Sequence, residues 1–273
     1  MPELPEVETI CRGLRNSVKG ERILGVAVAE TRLRAQVAKD FAKTLTGRTV
    51  VDVGRRGKYI LIRLDGGVVW LLHLGMSGKL IRVPERRLRH RHDHIVVRLE
   101  SGYELRYNDP RRFGFSVVAR APEIDSLPQI RALGLEPFDA RFDPGYLYRL
   151  ARRSGRRIRD LLIDQRVVAG LGNIYANEIL YYAGVRPTAR ASRLSRAQIA
   201  RIAELTPKIL AEAIRWCGTS FSDYRDAEDR RGEFQNHLRV YAREGEKCAT
   251  CGNTIRRVSP GNRSAFYCPG CQK

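Results

Sequence analysis

No run of eighteen apolar residues occurs anywhere in this 273-residue chain, which leaves it without a sequence signal for a membrane-spanning helix. The start also lacks the basic and then apolar stretch of a secretory signal, and carries acids instead. Both absences predict a soluble, cytoplasmic protein with no membrane partner. Carboxylates are scarce as well. Against 50 Lys and Arg stand 30 Asp and Glu, for a net charge of +20. The excess is spread through both halves of the chain, so it is not a basic tail. It implies a polyanionic partner, nucleic acid above all, although arginine far outnumbers lysine and genomic bias explains part of the excess. Cysteine is sparse until the very end. Before Cys248 only Cys11 and Cys217 occur, each in an apolar helical pattern that predicts a small core residue.

The other four cysteines form Cys248-x2-Cys251-x16-Cys268-x2-Cys271. Two Cys-x2-Cys knuckles at this separation predict a tetrahedral zinc site in a hairpin. All four positions are thiolates and none is left for water, so the ion is structural. Arg256, Arg257 and Arg263 make the finger basic, with Arg263 expected in the returning half of the hairpin.

At the opposite end the chain begins Met1-Pro-Glu-Leu-Pro-Glu-Val-Glu8. An aminopeptidase that removed Met1 would leave Pro2 with a free secondary amine. Chain-terminal amines titrate at roughly 7.7–8, so much of that amine is nucleophilic near neutrality. Attack on a sugar carbon would give a cationic iminium, an electron sink that drives elimination. Glu3 beside it, with Glu6 one turn on, supplies acid–base chemistry. The plainer reading makes Pro5 a helix-start residue and Glu6 and Glu8 acids matched to the helix dipole.

A helical face follows over residues 5–18 and Gly20 closes it. Apolar runs at 23–29, 50–53, 59–64, 68–74, 95–99, 103–107 and 113–118 then predict strands, interrupted by a helix at 37–45; the first half reads as a β-sandwich or barrel. Lys58 follows Gly54-Arg-Arg-Gly57 at a strand start. Seen alone it reads as a solvated lysine; aimed into a cleft, it would be a functional one. The 73–78 loop holds Met76 between glycines, and the turn 108–114 projects Arg111 and Phe113. Each loop alone reads as a β-turn with a solvated cation, but together they supply wedges for an opened base stack. Residues 86–94 are dense in cations. No metal-ligand spacing accompanies the histidines there, so His92 is read as a phosphate contact.

Prolines between 122 and 144 mark an interdomain connection. Helical spacing then covers 146–153, 158–164, 173–183 and 196–216, the last with a Ser195/Gln198 capping box and a bend expected at Pro207. Asn173 opens a helix after two glycine turns, either as its N-cap or as part of a phosphate site at the helix start. The polar stretch between Gly218 and Gln235 is too long for an ordinary connection.

Pro2-Glu3 with Glu6, Gly57-Lys-Tyr59, His73–Gly78, Asp109–Gly114, Gly170–Glu178 and the closing zinc hairpin together resemble the formamidopyrimidine-DNA glycosylases from end to end. The resemblance implies an α+β multidomain protein. An N-terminal β-sandwich with flanking helices (1–135) precedes a helix-two-turn-helix domain with the lesion loop (136–235) and a four-cysteine zinc finger (236–273), with DNA in the cleft between domains. It further implies a bifunctional glycosylase and AP lyase of base excision repair acting on oxidised purines in double-stranded DNA, monomeric and nucleoid-associated in a bacterial cytoplasm, with one structural zinc ion. Carried over by position, Pro2 is the Schiff-base nucleophile and Glu3 the acid for sugar-ring opening. Lys58 serves β-elimination and Arg263 δ-elimination. Met76, Arg111 and Phe113 fill the space of the everted nucleotide; His92, Arg153 and Asn173 contact DNA; the 219–234 loop closes over the lesion base. Arg159 stands where the family often has lysine, Ala242 where glycine is common, and Asp160 adds a negative charge near the expected DNA face. An endonuclease-VIII-like enzyme for oxidised pyrimidines and a non-catalytic DNA-binding protein are the rival readings. Leu4-Pro5 and the Met76/Arg111/Phe113 set favour the first over one rival, and Pro2, Glu3 and Lys58 over the other.

Overall fold

Pro5 lies within the first turn of α1 (Leu4–Val18), where a missing backbone N–H costs nothing. Leu4, Val7, Ile10, Cys11, Leu14 and Val18 are buried along one stripe of that helix, the spacing by which a helix presents an apolar face. The computed structural model describes residues 1–220, 226–259 and 261–273. It divides into two compact units, one of residues 1–131 with 214–235 and one of residues 132–213 with 236–273.

In the first unit α1 is followed by β1 (Ile23–Val28), α2 (Phe41–Leu45), β2 (Val50–Arg56), β3 (Tyr59–Leu64), β4 (Val68–His73), β5 (Lys79–Pro84), β6 (Asp93–Leu99), β7 (Tyr103–Asn108), β8 (Phe115–Arg120) and the short α3 (Pro128–Arg131). The strands form two four-stranded sheets, β1-β6-β7-β5 and β2-β3-β4-β8, antiparallel throughout. Ile95, Val97 and Leu105 of one sheet and Val53, Ile62, Trp70 and Leu72 of the other share a single core with α1. This is the strand-rich sandwich that the alternating runs predict. Trp70 is fully buried; its indole N–H donates to Ser116 Oγ at 2.9 Å, which satisfies the one polar group of the ring.

Two elements differ from the sequence reading. The helix expected at 37–45 is confined to Phe41–Leu45. Residues 79–84, not expected as a strand, form β5 at a sheet edge. Pro84 ends it, at a position where no ladder donor is required.

The second unit holds α4 (Pro144–Arg152), α5 (Ile158–Leu162), α6 (Asn173–Ala183), most of α7 (Arg196–Arg215) and the hairpin β9 (Arg256–Val258) with β10 (Ala265–Tyr267). Ser195 and Gln198 form the expected capping box, each side chain accepting the other's backbone N–H, at 3.2 and 3.0 Å. Pro207 lies inside α7. Cys11 is a core residue whose thiol donates to Gly54 O at 3.2 Å. Cys217 is not. It is exposed, in a left-handed backbone conformation just past α7, because the helix stops where its apolar spacing still continues. Ala242 has φ 60, a left-handed conformation that costs an L-residue about 1 kcal/mol and explains why glycine suits that position. Among the described residues no helix is long and apolar enough to cross a membrane.

Candidate functional site

At the mouth of α1 the chain makes a capping box of two acids. Glu3 and Glu6 are buried, 3% and 1% exposed, and Glu6 Oε2 accepts the N–H of Glu3 at 2.7 Å. The other Glu6 oxygen accepts the N–H of Thr219 at 2.8 Å. One carboxylate therefore joins the chain start to the beginning of the 219–234 loop. Gly218 is required next to it: φ is +78, and a Cβ there would lie 2.7 Å from Glu6 Oε1. Pro2 is itself buried in this mouth. Residues 221–225 of the loop lie outside the described residues. Its far end is fixed by the N–H of Arg82 on β5, which donates to Ala227 O at 2.7 Å, and by Ala227 buried in the sandwich core.

The β2–β3 turn reaches the same end of α1. Glu8 accepts from Arg55 Nε at 3.1 Å, and Arg55 Nη1 donates to Gly57 O at 3.0 Å, so α1 grips the turn that carries Lys58. Lys58 is 4% exposed, which overturns the solvated-lysine reading. Beside it is His73, paired across β3 and β4 with Tyr59, ring to ring at 4.8 Å. Burial first, then the Lys58 and Arg34 charges, push the His73 imidazole down to about 4, and its Nδ1 accepts the N–H of Gly75 at 3.0 Å. Above pH 6.5 neither folded nor unfolded chain protonates this site; between 6.5 and 4 only the unfolded chain does, so stability falls as pH falls. Wild type should lose about 3 kcal/mol relative to His73→Gln across that window, read by urea denaturation. Parallel pH profiles would remove the neutral-imidazole assignment.

Met76 and Phe113 are 44% and 47% exposed, and the Arg111 guanidinium stacks 4.8 Å above the Phe113 ring. Both loops are held from behind by Asp109, which is fully buried. Its carboxylate accepts Ser77 Oγ–H at 2.8 Å, Tyr107 O–H at 2.9 Å and Gly114 N–H at 2.8 Å. Ser77 follows Met76 and Gly114 follows Phe113, so one acid ties the two exposed apolar side chains into one rigid piece. Sequence reasoning missed it because Asp109 and Ser77 look like loop polar residues, and nothing in the spacing joins them to Tyr107 and Gly114. His92, half-buried, lies on the adjoining segment, its O accepting the N–H of Asp109 at 3.1 Å.

In the second unit Arg153 is exposed at the C-cap of α4. Asn173 is the first residue of α6 and not its N-cap, which is Gly172; its Nδ2 donates to Ser264 O at 2.9 Å. The N-cap reading is thus replaced by a tie to the hairpin. Arg263 is exposed in the turn just ahead of β10, on the returning side of the hairpin. Arg159 is buried; it donates to Arg263 O at 2.7 Å and pairs with Asp160 at 2.6 Å. The two departures at 159 and 160 therefore answer each other and hold the turn. Glu178, an acid in an apolar helix and unassigned from sequence, accepts three backbone N–H groups, from Arg239, Val240 and Tyr241, at 2.8, 3.0 and 2.8 Å.

The ligand atoms of Cys248, Cys251, Cys268 and Cys271 all lie within 4.8 Å of one another. Zn–S bonds of about 2.3 Å span a tetrahedron with edges of about 3.8 Å, and Cys248–Cys271 at 3.8 Å and Cys251–Cys268 at 3.3 Å match that scale. Tyr181 O–H meets Cys248 Sγ at 3.4 Å and Asn253 Nδ2 donates to Cys251 Sγ at 3.4 Å, the outer contacts that orient such ligands. The donor set fits one structural zinc ion.

Three family models match the chain: the formamidopyrimidine-DNA glycosylase N-terminal domain over residues 1–116, its H2TH domain over 133–225, and the zinc finger found in FPG and IleRS over 245–273. Among curated proteins, formamidopyrimidine-DNA glycosylases of Thioalkalivibrio sulfidiphilus and Methylococcus capsulatus are 46% and 44% identical, each pair aligned over 100% of both chains. Among solved structures, a Lactococcus lactis FPG mutant in complex with Fapy-dG containing DNA superposes with a TM-score of 0.93 at 32% identity over 100% of both chains. The Lactococcus lactis Fpg bound to abasic-site DNA gives 0.92 at 32% over 99% of both.

Proposed function

The chain belongs to the formamidopyrimidine-DNA glycosylases, and from that membership we propose a bifunctional glycosylase and AP lyase that removes 8-oxoguanine and formamidopyrimidines through a Pro2 Schiff base. The observation that carries the reading is the buried Glu3–Glu6 capping box around Pro2. With Met1 removed, the Pro2 amine stands at the mouth of α1 beside Glu3 and Glu6, and a chain-terminal amine has a free electron pair in part of the population near neutrality. That nitrogen attacks C1′ of the damaged nucleotide; the N-glycosidic bond breaks, and the base leaves with the electron pair and takes up a proton. The Pro2 nitrogen gives up its N–H proton, which balances the one taken up by the base; Glu3 protonates O4′ as the C1′–O4′ bond breaks and the ring opens, and the Pro2–C1′ bond becomes an iminium. Loss of a C2′ proton then expels the 3′-phosphate, with Lys58 serving the transfer. A second elimination, assisted by Arg263, releases the 5′-phosphate, and water returns free Pro2.

A base cannot be excised inside the stack, and unstacking costs a few kcal/mol. Met76, Arg111 and Phe113 fill the vacated space, while His92, Arg153 and Asn173 grip phosphates. The 219–234 loop closes over the lesion. We divide these tasks among residues 1–135, 136–235 and 236–273, in a monomer acting in the bacterial cytoplasm and nucleoid. Zinc, when bound, ties the four thiolates and fixes the hairpin that presents Arg263.

The test is borohydride trapping on duplexes carrying one 8-oxoguanine or one oxidised pyrimidine, with the adduct mapped by mass spectrometry. A covalent product at Pro2, stronger with 8-oxoguanine, is expected. Stronger trapping on the pyrimidine would move the enzyme to the other substrate branch. No trapping on either duplex, with Met1 absent, would overturn the catalytic reading.

A further inference from the structure

Residues 85–92 join β5 to β6 and read Glu-Arg-Arg-Leu-Arg-His-Arg-His. A run of cations in a loop is ordinarily a solvated face, and such a face needs no scaffold. This one has a buried scaffold. Arg106 on β7, 2% exposed, donates to Leu88 O at 2.9 Å and to Arg87 O at 2.6 Å. Its charge is balanced by fully buried Glu104, at 2.7 Å, and by Asp93, at 3.6 Å. Arg89 completes the set on Glu104 at 2.9 Å. Two guanidinium groups and two carboxylates thus neutralise one another, with Arg106, Glu104 and Asp93 buried beneath the loop and Arg89 half-exposed on it. Burying such a network contributes little net stability; what it fixes is the path of the backbone.

The tip that this scaffold presents has a distinct chemistry. Leu88 is 93% exposed, far beyond the other exposed large hydrophobics. Arg86 and Arg91 flank it, exposed, and among the described residues neither has a carboxylate partner, whereas Arg87 is held by Asp229 at 2.9 Å. The descending limb is bonded to the base of the wedge loop. His92 O accepts the N–H of Asp109 at 3.1 Å, and Asn108 Nδ2 meets His90 Nδ1 at 3.2 Å. A cationic, apolar-tipped arm is therefore continuous with the segment that projects Arg111 and Phe113.

We propose that residues 85–91, leading into His92, form a second DNA-contact arm, in which Arg86 and Arg91 engage phosphates of the duplex flanking the everted nucleotide and Leu88 rests on the apolar sugar edge of the groove. The inference rests on the glycosylase reading for the location of the wedge. Its partner is DNA because the tip offers two uncompensated guanidinium groups to a polyanion, and because the arm shares hydrogen bonds with the wedge loop.

The experiment is equilibrium binding of the full chain to a duplex with a tetrahydrofuran abasic analogue, across a salt series. Each phosphate contact adds roughly 0.9 to the log–log salt slope. Arg86→Ala with Arg91→Ala should flatten the slope by about 2, and the Arg86→Lys/Arg91→Lys pair should restore it. Leu88→Ser should weaken binding about threefold with the slope unchanged, as expected of an apolar contact. An unchanged slope in the alanine pair, with wild-type melting and wild-type trapping, overturns the arm. Failure of trapping in the wild type would instead strike the glycosylase reading, and the slope would still report on the arm by itself.

Discussion

Pro2→Gly protein should give almost no borohydride adduct with 8-oxoguanine DNA, and excision should fall on the order of a hundredfold or more, the scale of losing a positioned catalytic group. The reason lies in the amine. A secondary amine bonded to C1′ yields an iminium that is permanently cationic; the primary amine left by glycine yields an imine that must first be protonated to draw electrons from C2′. Glycine at position 2 also lacks the pyrrolidine ring that holds the nitrogen against Cα, which loosens the approach of the nitrogen at the mouth of α1. Binding to an abasic analogue should be retained, because the phosphate contacts lie elsewhere. Trapping at wild-type yield would remove Pro2 from the mechanism. Glu3→Gln is the companion variant: lesion DNA bound, base excised poorly.

Cys268→Ser should cost the zinc ion and with it most DNA affinity. Structural zinc contributes apparent binding free energies of about 10–16 kcal/mol, and the folded hairpin depends on it. Loss of the hairpin is felt beyond the four thiolates. Phe266 N–H donates to Asn177 Oδ1 at 2.7 Å, Asn173 to Ser264 O at 2.9 Å and Arg159 to Arg263 O at 2.7 Å. These bonds fasten the turn to α5 and α6, so the same event unfixes Arg263 and the Asn173 side chain together. Zinc content measured by emission spectrometry should fall from one ion per chain to none, with DNA affinity reduced at least about tenfold, the equivalent of 1.4 kcal/mol. The sandwich core contains none of these cysteines, so most strand signal in circular dichroism should survive. Full zinc content with full affinity would show the cluster reading to be wrong.

Apolar periodicity made most of this fold legible. The span of α6 and seven of the eight strands of the first unit follow from spacing alone, because burial of one face is what both patterns encode. The zinc hairpin was legible for a different reason, since thiolate spacing reports on a ligand set directly. What stayed hidden was mostly charge. Lys58, Glu6, Arg106, Asp109, Arg159 and Glu178 are all buried, yet a sequence treats each as a surface residue until its partner is known. Those partners are distant in the chain: Ser77 for Asp109, Thr219 for Glu6, Tyr241 for Glu178. Backbone exceptions were equally silent. Nothing in the spacing around Cys217 announces that α7 ends before it, and β5 was overlooked because its basic, proline-ended run reads as a connection.

Asp109 separates the job of holding from the job of touching. The carboxylate anchors Ser77, Tyr107 and Gly114, whereas the loop tips proposed to fill the opened stack, Met76, Arg111 and Phe113, make none of those bonds. A substitution at a tip should therefore change what fills the opened stack and leave the two loops in place, as one swaps bits in a fixed chuck. A substitution at Asp109 should loosen both loops at once.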